Sequence, residues 1–333
     1  MSRYWIVGGA LGAFSVVVSV AYLVFGSVPL PVGEVYGWIR GVPVELAHAA
    51  ILELRIDRLL LAWVVGAALG VSGVTLQAIL RNPLADPYVL GTSSGAACGA
   101  SGAIVIGVTA WGAWVLPTAS FLGALGATLL VWGIARVDGA MPRERLLLSG
   151  VIVGFFLGAV IMLFMTLSRE ALHTIVALLM GNLDYPFTPE THQVFLITTA
   201  LVVAILFFIW GRARPLDALA LGDDAALQLG VDVTGLRRAL FLASALLVGS
   251  AVSFSGLIGF VGLVVPHALR IIVGPQHRFL VPLSALGGGA LLTAADLLSR
   301  NLTQSPLPVG VVTALLGGPF FLYLLMSSPE YTE

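Results

Sequence analysis

Apolar residues along this chain neither alternate nor recur as narrow stripes. They come in long blocks separated by short knots of charge, proline and glycine. The blocks fall near 4–25, 58–80, 88–108, 113–135, 145–167, 192–211, 238–257, 258–273, 279–298 and 309–327. About 20 apolar residues suffice to cross ~30 Å of hydrocarbon as a helix. Only a helix or a closed barrel satisfies every backbone polar group in lipid. A barrel would need segments of about ten residues with strict alternation, and none is present. The pattern therefore predicts an all-α, polytopic transmembrane bundle of about ten spans. The blocks meeting at Gly256 have no polar loop between them, so their boundary is the least defined. The first, from about Tyr4 to Phe25, is long and no A-x-A-like cleavage site follows it. We expect it to be kept as a span rather than removed as a signal peptide.

Composition agrees. The 333 residues are 59% hydrophobic and only 10% charged, with a mean hydropathy of +1.03. A soluble domain carries roughly 25% charged residues, so a water-facing surface could not be covered. The net charge of -1 offers nothing to nucleic acid. Cys98 is the sole cysteine, which excludes a disulfide framework and a multi-cysteine metal site; no resident cofactor or metal is expected. All 16 basic residues are arginine. A P-loop needs a lysine on the β/γ-phosphates, so any ATP-driven work must come from another chain.

Charge also orients the spans. With ten spans and both termini cytoplasmic, arginines 3, 81, 136, 143, 145, 212, 214, 237, 238, 270 and 278 lie inside, whereas 40, 55, 58, 169 and 300 lie outside. This excess of inner arginine is the positive-inside bias. The longest inner connection carries Leu221-Gly222-Asp223-Asp224-Ala225-Ala226-Leu227-Gln228-Leu229-Gly230. Asp223 suits the cap of a short helix and Gly230 its end, giving either a docking element or an ordinary solvated helix. On the outer side, a short polar segment at 45–53 is expected to fold on the membrane surface.

Three outer arginines, Arg55, Arg58 and Arg300, fall at span ends. They are either headgroup anchors or a positive rim for an acidic partner or anionic ligand. Asp296 and Arg300, four apart, should pair on one helix face. The glycines at 66 and 70, and at 91, 95 and 99, have the spacing that lets helix backbones approach closely in lipid. Ionisable residues are nearly absent from span interiors, which disfavours an ion-coupled secondary transporter. Gly91-Thr92-Ser93-Ser94-Gly95 matches the GxSxG of serine hydrolases, but it opens a membrane helix where that motif needs a strand-to-helix turn. An intramembrane serine hydrolase is the remote alternative.

Longer motifs carry a resemblance. Arg81-Asn82-Pro83-Leu84-Ala85-Asp86-Pro87-Tyr88-Val89-Leu90-Gly91 resembles the RNPLADPxxLG signature of FecCD-type permeases. The stretch from Gly256 to His267 resembles that family's GxIxFVGLxxPH, and Pro308 to Phe321 its PxGxxTxxxGxPxF. The resemblance implies a permease domain over 1–333, of the type II ABC importer kind, in a cell inner membrane. Its cargo would be an iron-siderophore, haem or cobalamin. It implies a second copy of the chain, two cytoplasmic ATPase subunits, and a periplasmic or lipid-anchored substrate-binding protein. On this resemblance Arg55, Arg58 and Arg300 receive the binding protein. The segment near 215–236, with Leu221, Gly222, Asp223, Asp224, Ala225, Leu229 and Gly230, couples to the ATPase. Asn82, Pro83 and Leu84 belong to the cytoplasmic gate, together with the turn at Pro142-Arg143-Glu144-Arg145, which carries charge where small hydroxyl residues are usual. Asp57 stands where the family has proline and lowers the positive potential beside Arg58. Arg40 and Arg169 match no docking position. His267, beside Pro266, suits a structural hydrogen bond.

Overall fold

The first apolar block folds as α1 (Ser2–Val24) and is followed by a short α2 (Val32–Ile39). The next helix, α3 (Leu46–Leu80), runs for 35 residues, because the stretch holds no proline and its glycines lie in its second half. The expected separate polar segment at 45–53 is therefore corrected. From Leu46 onward those residues lengthen the second span by about three turns. The computed structural model describes residues 2–26, 28–137, 142–303 and 305–327.

A 3₁₀ turn at Pro87–Leu90 leads into α4 (Thr92–Ile106), which is followed by α5 (Val115–Ala135) and α6 (Arg143–Leu167). A nine-residue helix, α7 (Leu172–Met180), precedes α8 (Pro189–Trp210). The polar connection folds as two helices, α9 (Ala213–Leu221) and α10 (Asp223–Gln228), rather than one. The chain ends with α11 (Val233–Ser255), α12 (Val261–Val273), α13 (His277–Asn301) and α14 (Val309–Ser327). No strand occurs among the described residues.

Among the described residues seven helices are long and apolar enough to cross a bilayer: α1, α3, α5, α6, α8, α11 and α13. Thr92–Ile106, Val261–Val273 and Val309–Leu322 are apolar but shorter, and they coincide with three further blocks of the sequence. Helices α3, α11 and α13 form the buried centre. Trp5 of α1, Phe155 and Phe156 of α6, and Ile197 and Phe207 of α8 point outward, as a lipid-facing surface requires.

Small residues set the spacing at the centre. A Cβ on Gly66 would fall inside van der Waals contact of the Gly288 carbonyl, and one on Gly288 would meet Gly66 in the same way. Gly95 of α4 and Gly123 of α5 exclude each other's Cβ alike. Packing of bare backbone on backbone drives association where lipid removes the hydrophobic incentive.

The junction at Gly256 is a physical break. Residues 256–260 are unwound, and Gly256 and Phe260 have φ of +64° and +67°. The freed backbone is stitched elsewhere: Leu257 N–H donates to Leu178 O at 3.1 Å, and Asn182 N–H donates to Ser255 O at 2.8 Å. Irregular backbone survives at membrane depth only with such partners.

Candidate functional site

Helix α3 works as a ruler. Arg58 and Arg81 are separated by about 35 Å of helical rise, slightly more than the hydrocarbon thickness. An ionic cluster sits at each end.

At the first end Asp296, with no exposed surface, is the acceptor. Arg58 grips it bidentately, Nε to Oδ2 at 2.9 Å and Nη2 to Oδ1 at 2.7 Å. Arg300 Nε lies 3.2 Å from Oδ2, the pairing expected from the sequence. Tyr22 donates its hydroxyl at 2.5 Å. One carboxylate thus ties α1, α3 and α13 together. Arg58 also contacts Asp184, whose side chain is 63% exposed on the segment after α7. Arg55 is buried and donates to the carbonyls of Leu23 at 2.5 Å, Val24 at 3.2 Å and Val28 at 2.5 Å. It thereby satisfies open carbonyls at the end of α1, the orphan groups every helix terminus leaves. Arg55, Arg58 and Arg300 share one cavity of about 280 Å³ with Asp184, Tyr185 and Phe187. Asp57 lies 4.0 Å from His192 Nδ1.

At the second end Asp223 is the acceptor. Its Oδ1 takes hydrogen bonds from Arg81 Nη2 at 3.2 Å, Arg143 Nη2 at 2.8 Å and Arg237 Nη2 at 2.9 Å. Burial opposes ionisation here, but the hydrogen bonds and charge of Arg237 and Arg143 outweigh it. They hold the Asp223 carboxyl below its ordinary range. The sequence reading of Asp223 as a helix cap is corrected. Gly222 is the N-cap, without any side-chain cap, and Asp223 is the first helical residue with its carboxylate drawn to the arginines. Gly222, at φ +142°, breaks the chain between α9 and α10. The sequence showed neither Arg81, Arg143 and Arg237 as partners here nor Tyr22 and Asp184 at the other end, where it showed only the pairing of Asp296 with Arg300.

Around this cluster α9 is tied to α13, since the backbone N–H and Nδ1 of His277 lie 2.9 and 2.7 Å from Asp217 Oδ1. Leu221, Leu227 and Leu229 are well exposed, as are Asp224 and Gly230, while Ala225 is half-buried. Gly230, at φ +79°, closes α10 by donating to Leu227 O at 2.9 Å.

Arg81 adopts φ +48° at the end of α3 and starts a tight turn. Asn82 Oδ1 accepts the Leu84 N–H at 2.9 Å, so Asn82, Pro83 and Leu84 form an Asx-type turn. His267 of α12 lies beside the backbone of Pro83 in that turn, and its buried Nδ1 has no hydrogen-bond partner among the described residues. Ser93 is buried in α4, and its Oγ has no hydrogen-bond partner. No base stands within hydrogen-bond reach of it among the described residues. Among the described residues no three His, Cys, Asp or Glu side chains gather to hold a metal ion.

A cobalamin import system permease of Halobacterium salinarum is 44% identical over 86% of this chain and 75% of its own length. A hemin transport system permease of Yersinia pestis is 39% identical over 84% of each. A solved chain described as a metal-chelate type ABC transporter in an inward-facing conformation superposes with a TM-score of 0.83. It is 30% identical and covers 98% of this chain and 100% of that one. The FecCD transport family matches residues 14–327. With that match spanning nearly the whole of a bundle of apolar helices, the chain belongs to the FecCD transport family and is a multi-pass ABC transporter permease.

Proposed function

We propose that the chain is the pore-forming subunit of an ATP-driven importer that carries an iron chelate (siderophore or haem) or cobalamin across the inner membrane. In this reading it spans the membrane about ten times, with both termini and the Asp223 end in the cytoplasm. Two copies form the conduit along their shared axis. Two ATPase subunits seat on the 215–236 segment, with Leu221–Gly230 at the contact. A substrate-binding protein, periplasmic or lipid-anchored, docks at the opposite end over the cavity lined by Arg55, Arg58 and Arg300. Arg58 and Arg300 would meet its carboxylates, while Arg55 holds the wall of the seat through α1. The turn at Asn82, Pro83 and Leu84 serves as the cytoplasmic gate.

One observation carries the ATPase partnership. Leu221 and Leu227 on two short helices, and Leu229 just after the second, are exposed at the Asp223 end, in a segment whose acids and arginines mark it as water-facing. Exposed leucines on such a segment suit a protein groove. Selection of cargo rests with the binding protein, and ATP does the work, because a ligand shifts a conformational equilibrium only by binding its states differently.

The test is uptake in proteoliposomes with and without the cognate ATPase chain. Uptake should require both ATP and that chain, and Leu227→Asp should abolish co-purification of the ATPase. Uptake that persists without ATP ends this reading. Calorimetric titration of the cognate binding protein with cobalamin, hemin and ferric siderophores assigns the cargo.

A further inference from the structure

We infer that Asp223 is the positioning residue that transmits movement of α10 to the gate turn and to the starts of two spans. The inference rests on the importer reading above and deepens it.

The three arginines on Asp223 come from three different elements. Arg81 closes α3 and immediately precedes Asn82, Pro83 and Leu84. Arg143 is the first residue of α6, and Arg237 lies in the first turns of α11. Asp223 touches all three. Its removal takes away the charge on which the three guanidinium groups converge, so the attraction that Asp223 exerts on each of them is lost. Glu144 and Asp232 line the same cavity of about 540 Å³.

A second feature frees the lever to move. Gly222 separates α10 from α9 at φ +142°, a conformation L side chains rarely adopt. A Cβ there would also stand 3.2 Å from Arg81 Nη1. Helix α9 stays fixed to α13 through Asp217 and His277. A displacement of α10 therefore pivots at Gly222 and pulls on the arginines through Asp223. The charge in the Pro142–Arg145 turn, unusual for a gate, gains a purpose: Arg143 links that turn to the same carboxylate.

The experiment uses the complete complex in proteoliposomes, measuring ATPase association, ATP hydrolysis and cargo taken up per ATP. In Asp223→Asn complexes that still carry the ATPase, uptake per ATP hydrolysed should fall roughly ten-fold or more, within the usual span of coupling between sites. Asp223→Glu should recover most of the loss. Arg81→Gln, which cuts only the strut to the gate, should uncouple transport with Arg143 and Arg237 still in place. Spin labels at position 84 of the two copies should show a nucleotide-dependent distance change in wild type and none in Asp223→Asn. Unchanged uptake per ATP in both variants overturns the inference. Loss of ATPase association in both overturns it as well, since Asp223 would then only shape the docking surface. ATP-independent uptake by the wild-type complex is distinguishable from either result. It removes the importer reading, and the inference with it, before any variant is compared.

Discussion

Replacing Asp296 by alanine tests whether one carboxylate holds the Arg58 end of the bundle together. The side chain has no exposed surface, accepts hydrogen bonds from Arg58 and Tyr22, and forms an ion pair with Arg300 at 3.2 Å. Hydrogen bonds to a charged group contribute about 1.5–3 kcal/mol each. Removing one partner of a buried pair costs about 3–5 kcal/mol, because the other charge stays buried and uncompensated. Asp296→Ala strands Arg58 and Arg300 together, so we expect a loss at the upper end, about 5 kcal/mol. Arg58→Ala should cost less, since Arg300 and Tyr22 still serve Asp296. The Asp184 contact it also removes is solvent-exposed and contributes only about 0–1 kcal/mol. The double variant should therefore lose clearly less than the sum of the singles. The assay is reversible unfolding of the purified protein in mixed micelles, run as a double-mutant cycle. Losses that add to within about 0.5 kcal/mol would refute the shared-carboxylate argument.

Two further outcomes follow from the geometry. The Asp223 carboxyl is held below its ordinary range, so its contribution to stability is complete above the unfolded value near ~4 and is lost as pH falls through the depressed folded value. The difference in melting temperature between wild type and Asp223→Asn should be constant around neutral pH and shrink below pH ~4; a difference that instead grows with acid would reverse the assigned sign. Gly66→Leu should destabilise by about 3 kcal/mol or more, as overpacking against Gly288 forces α3 from α13. Gly126→Leu, where a Cβ meets open space, should be tolerated, and thermal melts in detergent that treat the two alike would contradict the close-packing account.

Long apolar blocks made most of the helices legible, because in lipid a helix is the main way to satisfy a backbone and its length is set by the bilayer. Helix α7 was invisible because a nine-residue, mostly apolar stretch beside longer blocks has no length signature. The outward extension of α3 was hidden because charged residues at 45–58 resemble a loop, whereas helical hydrogen bonding continues through them. The site was legible in part: the spacing of Asp296 and Arg300 marks a helical pair. Arg58 reaches Asp296 across 238 positions, and Asp223 gathers arginines 142, 80 and 14 positions away. Such partners are made by the fold, and no local periodicity records them.

The unwound stretch before α12 bears on how the protein is made. Helix α12 rises only about 20 Å over its 13 residues, too short for a bilayer-crossing segment of its own. In the ten-span reading the crossing is completed by the five unwound residues before it, which reach at most about 16 Å and whose backbone lipid cannot solvate. That backbone finds its partners at the end of α7, synthesised some 75 positions earlier, and Gly310 of α14 packs against both. A translocon reading hydrophobicity one segment at a time has little reason to release this piece into lipid alone. Its insertion should wait for neighbouring helices to receive it, which makes the Leu178–Asn182 seam a checkpoint of biogenesis as well as a joint in the finished molecule.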